Sequence, residues 1–245
     1  MTVENTQISG AFGDPSLQDV ADLERALATD LERGLSAQEA ARRLAISGRN
    51  ELLAKPPVPG WQRFVRQFRD PLIYLLLAAV GISLIAWAIE GHGWPVDAIV
   101  IAFIVLLNAI LGYVQESRAE NAVAALARMT EVSSTVVRDG AKQRLPSTEL
   151  VPGDVLVLEE GDAVGADARL AMAATLRAHE ASLTGESEAV LKDPATLTEP
   201  AALGDRKNMV FKGTAIVQGT GRAIVTATGM RTEMGSIANM LESTP

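Results

Sequence analysis

PLIYLLLAAVGISLIAWAI, residues 71–89, contains no charged residue, and neither does AIVIAFIVLLNAILGYVQ, residues 98–115. A helix rises about 1.5 Å per residue, so each run is long enough to cross a hydrocarbon core about 30 Å thick. A soluble helix of that length keeps one polar face. These runs are apolar all round, apart from Asn108 near the middle of the second. They read as two transmembrane helices, 71–89 and 95–115. The link Glu90-Gly91-His92-Gly93-Trp94-Pro95 is short, which makes the helices antiparallel neighbours.

The flanks orient this hairpin. The link has no Lys or Arg, whereas Arg63, Arg66 and Arg69 precede the first run and Arg118 and Arg128 follow the second. The positive-inside rule places both soluble ends, and so both termini, in the cytoplasm. Trp87 and Trp94 stand where interfacial aromatics belong, and Asp97 reads as interfacial and solvated. Asn108 has two available roles: a bond to another helix, or a bond to a carbonyl of its own helix. ESRAENAVAALARM continues the second run without Gly or Pro, and Ala119, Val123 and Leu126 keep helical spacing. Residues 116–131 therefore read as a stalk helix leaving the membrane.

Composition narrows the chemistry. The 245 residues include no Cys, which excludes a disulfide framework, a thiolate metal site and a Cys nucleophile. His92 and His179 are too far apart in sequence to suggest a metal site. A net charge of -8 argues against nucleic acid as a partner, and 4% aromatic residues leave few stacking platforms. The polar start, MTVENTQISGAFGDPS, has no basic region leading into an apolar run, so no secretory signal is expected.

The soluble parts differ in period. In residues 1–54, Leu23, Ala26 and Leu27 space as one helix, with Gly34 as a stop, and Ser36-Ala37-Gln38-Glu39 reads as a capping box for a second. Residues 55–70 open on a stiff Lys55-Pro56-Pro57-Val58-Pro59-Gly60 linker. Trp61, Phe64, Val65 and Phe68 then suggest an amphipathic helix at the membrane surface. From 132 to 245 the period is two. Strands are expected at 134–138, 142–145, 155–158, 168–172, 209–212, 214–217 and 223–228, with a hairpin turn at Asp139-Gly140 and a tight turn at Val151-Pro152-Gly153-Asp154. A helix from about Thr232 to Leu241 closes the segment. Short strands with Gly-containing turns suggest a small β-sandwich or distorted jelly roll.

Thr184-Gly185-Glu186-Ser187 lies in a loop between strands. Its surroundings make it specific. GLSAQEAARRL, GRNEL, FVRQFRDPLIYLLLAAVGIS, IVLLNAILGYVQESRAENAVAAL, RDG, ELVPGDVLVLEEGD, ADARL, LTGESEAVLK, DRKNMVFKGTAIVQGTG and TGMRTEMGSIA occur in that order. In these blocks the chain resembles the P-type cation-transporting ATPases, calcium-pump-like branch, from about Leu23 to Pro245. The resemblance implies an α+β membrane protein: a small helical N-terminal segment, a two-helix transmembrane hairpin with stalk, and an all-β, distorted jelly-roll actuator domain over 132–245. There are departures. His179-Glu180-Ala181-Ser182 stands where many relatives have an acidic residue, Glu and Ser, and Gly165 stands where relatives usually have Pro.

The resemblance also implies a mechanism. The family hydrolyses ATP through a phosphorylated aspartate, and the actuator loop completes the site that hydrolyses the acyl phosphate. By resemblance, Glu186 positions and polarises the attacking water as general base. Thr184 and Ser187 hold the loop by hydrogen bonds, and Gly185 lets the backbone approach the phosphate. The chain contains no Asp-Lys-Thr-Gly-Thr, the motif that carries the family's phosphorylated Asp, and no P-loop. It is therefore expected to be the N-terminal part of a pump, inactive alone, with ATP and Mg2+ bound by the complete pump and not by this chain. The implied partners are the lipid bilayer, the remaining pump domains in cis or in trans, and the transported cation, with Ca2+ first among Na+, K+, Mg2+ and protons. The implied location is a bacterial plasma membrane. The alternatives are a membrane-anchored regulatory module without catalysis, or one half of a split pump.

Overall fold

The computed structural model describes residues 13–52, 59–69, 71–91, 93–129 and 132–243. The Pro-rich linker at 55–58 and His92 of the hairpin link lie outside them. In chain order the main elements are α1 (Val20–Ala26), α2 (Ala37–Ser47), α3 (Gly60–Gln67), α4 (Pro71–Glu90), α5 (Val96–Met129), β1 (Ser133–Arg138), β2 (Ala141–Pro146), β3 (Val155–Glu159), β4 (Asp167–His179), α6 (Ala181–Thr184), β5 (Ala189–Leu191), β6 (Met209–Val210), β7 (Ala215–Ala227) and α7 (Glu233–Ser243). They form two compact units. One joins residues 1–53 with 131–245, and the other is 54–130. The sequence separates 1–54 from 132–245, whereas in three dimensions the two stretches share one unit.

The larger unit is built on an antiparallel sheet of seven strands in the order β2-β1-β3-β7-β4-β5, with β6 paired to β4. The β1–β2 hairpin turns at Asp139 and Gly140, both at positive φ, as a two-residue primed turn requires. The expected strands at 214–217 and 223–228 are a single strand, β7, running through Gly219 and Gly221. These glycines are points of close approach, not turns. A Cβ on Gly219 would stand 2.4 Å from the carbonyl oxygen of Ala174, and one on Gly221 would stand 2.9 Å from that of Met172. The β4–β7 register shifts between Leu170 and Met172 and again between Ala174 and Arg177, with Thr175 at φ 48°. Such bulges bend a sheet. β4 consequently runs to His179, well beyond the expected 168–172, and delivers the chain to the loop at 180.

The core lies against this bent sheet. Val136, Leu156, Leu158, Leu170, Leu176, Val210, Ile216 and Val225 are all buried there. The N-terminal segment docks on the same sheet. Leu23 and Leu27 pack on Ile224, and Leu35 and Ala40 pack on Val151. α2 begins where Ser36 Oγ accepts the N–H of Glu39 at 3.2 Å, which is one half of the expected capping box; the Glu39 side chain turns to Arg42 and Arg43 instead of back to Ser36. The Glu39 carboxylate is bonded to Arg42 and Arg43, which hold its pKa down at about 2. Gly34 is not a helix stop, because α1 has already ended at Ala26. It lets Leu35 bridge to Arg138: a Cβ at Gly34 would fall 1.8 Å from the carbonyl oxygen of Val137.

Buried polar groups fix this docking and the sheet beneath it. Arg43 Nη1 donates to the carbonyl of Pro152 at 2.9 Å. Arg138 forms a two-bond ion pair with buried Asp154, whose carboxylate also accepts the N–H of Val151. Arg169 is fully buried and donates to the carbonyls of Leu170, Pro194 and Gln18.

The smaller unit is helical. α4 packs against α5, and the link between them is closed by a bond from Trp87 Nε1 to the carbonyl of Gly93 at 2.8 Å. Ala98, Val105 and Ala109 are the buried side of α5. Small residues there let two helices approach closely. Phe103, Leu107, Leu111, Ile82 and Ile85 remain exposed, and Asn108 is exposed with them. α3 packs on α5, with Phe64 edge-on to both Phe68 and Tyr113. Among the described residues one helix, Val96–Ala119, is long and apolar enough to cross a membrane, and the apolar part of α4, Ile73–Ile89, is shorter.

Candidate active site

The loop that carries Thr184–Ser187 is the connection from β4 to β5. His179 pairs with Ala189, Ala178 with Val190 and Arg177 with Leu191, so residues 180–188 form a closed loop on a paired base. The loop's first turn is α6, whose N-cap is Glu180 and whose C-cap is Gly185. The Glu180 carbonyl accepts the N–H of Leu183 at 2.9 Å and of Thr184 at 3.0 Å. The Thr184 hydroxyl donates to that same carbonyl at 3.2 Å and accepts the N–H of Glu186 at 3.3 Å. Thr184 thus ties Glu186 to the root of the loop.

Gly185 has φ 77°, ψ -4°, the left-handed conformation that ends a helix most readily at Gly. An added Cβ there would meet nothing within 4 Å, so backbone conformation, not crowding within this chain, calls for Gly. Glu186 and Ser187 follow, both exposed. The chain therefore presents a carboxylate and a hydroxyl outward from a turn whose other groups are internally bonded.

Four further residues shape this site, none of them given a role by the sequence. Glu180 and Lys192 are both buried, and their charged groups meet at 2.5 Å. Burial pushes the Glu180 carboxyl up and the Lys192 ammonium down, and each opposes the other's shift by its charge. Ser182 Oγ donates to the carbonyl of Gly213 at 2.9 Å, anchoring the outer side of α6 to the turn before β7. Gly204 lies under the methyl group of Thr184, where a Cβ would come within 3.3 Å. Spacing could not reveal these, because all four act through contacts closed by the sheet.

The departures noted in the sequence are placed as follows. His179 ends β4, paired on one side with Ala189 and on the other with Ala215. Ala181 is the first residue of α6. Gly165 is tightly enclosed: its carbonyl accepts from Asn50 Nδ2 at 2.8 Å, and a Cβ would fall 2.6 Å from Ser134 Oγ. Asn50 also donates to the carbonyl of Ser147, and its Oδ1 accepts from Lys212 Nζ and from the N–H of Gly229. A groove of about 650 Å³ lies beside this cluster, lined in part by Asn50, Val132, Ser147 and Lys212, and it includes none of residues 184–187. Among the described residues no group of three or more His, Cys, Asp or Glu is placed to hold a metal ion.

An antiparallel sheet with a helical N-terminal segment docked on it, and an exposed Thr-Gly-Glu-Ser turn, define a class that comparison makes explicit. Two family models match: the P-type ATPase actuator domain over residues 128–242, and the cation transporter/ATPase N-terminus over residues 15–83. The chain belongs to the P-type ATPases. It is 41% identical over 212 residues to a calcium-transporting ATPase of Listeria monocytogenes, a match covering 86% of this chain and 23% of that protein. It is 43% identical over 216 residues to a cation-transporting ATPase of Synechocystis, covering 88% of this chain and 23% of that one. A calcium-transporting ATPase of Bacillus subtilis is 41% identical over 223 residues, 91% of this chain and 24% of its own length. The chain thus spans about a quarter of the length of the curated relatives it matches.

Proposed function

We propose that this chain supplies the actuator domain and first membrane hairpin of an ATP-driven cation pump in a bacterial plasma membrane. Its loop hydrolyses the aspartyl phosphate formed on a complementary phosphorylation domain. The observation that carries the reading is the exposed Glu186 carboxylate, presented directly after the left-handed Gly185 on a turn tied down by Thr184. In the step envisaged, Glu186 accepts a proton from water as the water oxygen bonds to phosphorus. The bond from phosphorus to the aspartyl oxygen breaks, releasing inorganic phosphate and the free carboxylate. Thr184 holds the backbone of Glu186, and Ser187 offers a further hydroxyl to the phosphate.

ATP and Mg2+ are assigned to the complementary domains, in cis or in trans. The hydroxyls and carboxylate of the loop suit a water and a phosphoryl oxygen. Both α4 and α5 are read as membrane spans, with the termini cytoplasmic. The apolar residues they leave exposed support this, as does the pairing of Phe64 with Tyr113, which sets α3 beside the last turns of the apolar run. The bent sheet is read as a distorted jelly roll. Ca2+ is the favoured cargo, because the similar proteins of L. monocytogenes and B. subtilis are named calcium-transporting.

The test is phosphoenzyme turnover in a pump completed with its phosphorylation domain. Glu186→Gln should leave formation of the phosphoenzyme near the parental rate and slow its decay by at least about a hundredfold, the usual scale for a general base. Decay at the parental rate would overturn the assignment. Ca2+-dependent formation supports the cargo, and formation indifferent to Ca2+ removes it.

A further inference from the structure

Glu180 and Lys192 form an ion pair that is sealed from solvent directly beneath the exposed loop. Their side chains are 1% and 0% exposed, with Nζ and Oε1 2.5 Å apart. The Lys192 ammonium also stands 5.6 Å from the centre of the Phe211 ring. No other described group hydrogen-bonds either charge. Burying two charges is costly, and a well-packed apolar pair of the same volume often serves stability as well or better. Such a pair is best understood by the geometry it imposes.

That geometry is specific here. Glu180 is the first residue after β4 and the N-cap of α6, and its carbonyl accepts from Leu183, from the Thr184 backbone and from the Thr184 hydroxyl. Lys192 is the first residue after β5, held by its N–H to the carbonyl of Leu176. The pair therefore crosses the base of the loop from one side to the other. Rotating Glu180 would move the carbonyl from which Thr184, and through it Glu186, is suspended.

We propose that the buried Glu180–Lys192 pair is a positioning device: it fixes the direction of the 181–187 turn and so aims Glu186. This rests on the reading of Glu186 given above, but its first test does not. Hydrogen exchange of the whole chain in detergent is compared for the parent, Glu180→Gln, Lys192→Met and the double variant. Each single variant leaves one buried charge unpaired, and should speed exchange both at loop amides 183–187 and at core amides 168–170 and 223–225. The double variant removes both charges. It should return the core amides to parental exchange while the loop amides stay faster by about tenfold or more, since loop and core then open separately.

If the double variant restores loop and core together, the pair is only structural and the proposal fails. If neither single variant speeds exchange at the loop amides, it fails as well. In the completed pump, the double variant should slow phosphoenzyme decay at least about tenfold with formation unchanged. Unchanged decay with a loosened loop would overturn the aiming role. Glu186→Gln is the control: should it fail to slow decay, the assignment of Glu186 is lost, while the exchange data still decide whether the pair directs the turn.

Discussion

Asp167 Oδ2 accepts the backbone N–H of Glu233 at 2.7 Å, so a carboxylate at the start of β4 caps the first turn of α7. Its other oxygen accepts the N–H of Lys212 at 2.8 Å. Sheet, turn and closing helix meet at one side chain. Burial is the main influence on it and raises its pKa from 3.8 to about 6, against the lowering effect of those two bonds.

That shift carries a sign. The folded chain holds the Asp167 proton more tightly than the unfolded chain does. Its contribution to stability is therefore fully present below about pH 4 and is lost as the pH rises to about 6, by up to about 3 kcal/mol. Denaturant unfolding of the parent and Asp167→Asn between pH 4 and 7 checks this. The stability advantage of the parent should shrink from pH 4 to about 6 and then level. An advantage that grows over this range would mean that the ionised form is the stabilising one.

Gly219 and Gly140 both have positive φ, yet they should respond very differently to alanine. At Gly140 an added Cβ meets nothing within 4 Å, so only backbone strain remains, about 1 kcal/mol. At Gly219 it meets backbone carbonyl oxygens of Ala174 and Thr175 at 2.4 and 2.5 Å, which no rotamer can relieve. Gly219→Ala should cost about 2–4 kcal/mol. Equal unfolding midpoints for the two variants would show that the β4–β7 bulge yields easily.

Thr184 acts through its hydroxyl, which donates to Glu180 and accepts from Glu186. Thr184→Ser keeps both bonds and should support phosphoenzyme decay within about threefold of the parent. Thr184→Ala removes both, and should slow decay by about tenfold or more, on the scale of one or two net hydrogen bonds. Parental decay in the alanine variant would leave the hydroxyl without a role in the step.

The absence of Cys makes topology directly measurable. Trp94 in the hairpin link is 82% exposed, and Ser187 is exposed in the loop. The proposed orientation, with both termini and the loop in the cytoplasm, predicts that Trp94→Cys reacts with a membrane-impermeant maleimide in intact cells. Ser187→Cys should react only after the membrane is opened. The reverse pattern would invert the hairpin.

The motif Thr184–Ser187, the Asp139-Gly140 turn, the Ser36 cap and the two apolar runs were legible because each depends on neighbours in sequence. A primed turn, an N-cap and an unbroken apolar run are local requirements, met within a few residues or one helix length. Gly34, Gly219 and Gly221 misled in the same local terms. Glycine commonly ends a helix or makes a turn, and here it serves a close approach to Val137, Ala174 and Met172, residues distant in sequence.

The sequence by itself determined the family, the two apolar helices and the identity of the exposed carboxylate. These follow from composition, period and ordered motifs, which survive unfolding. It did not determine the faces of the strands, since β3 is buried and β2 exposed in unbroken runs rather than in alternation. Only the tertiary structure decided that residues 1–53 share a unit with 131–245, that β7 is one bent strand, and that Glu180 and Lys192 meet under the loop. Burial is the reason. Whether a charge is solvated or sealed against its partner depends on what the sheet brings over it, and that is set by pairings between segments far apart in the chain.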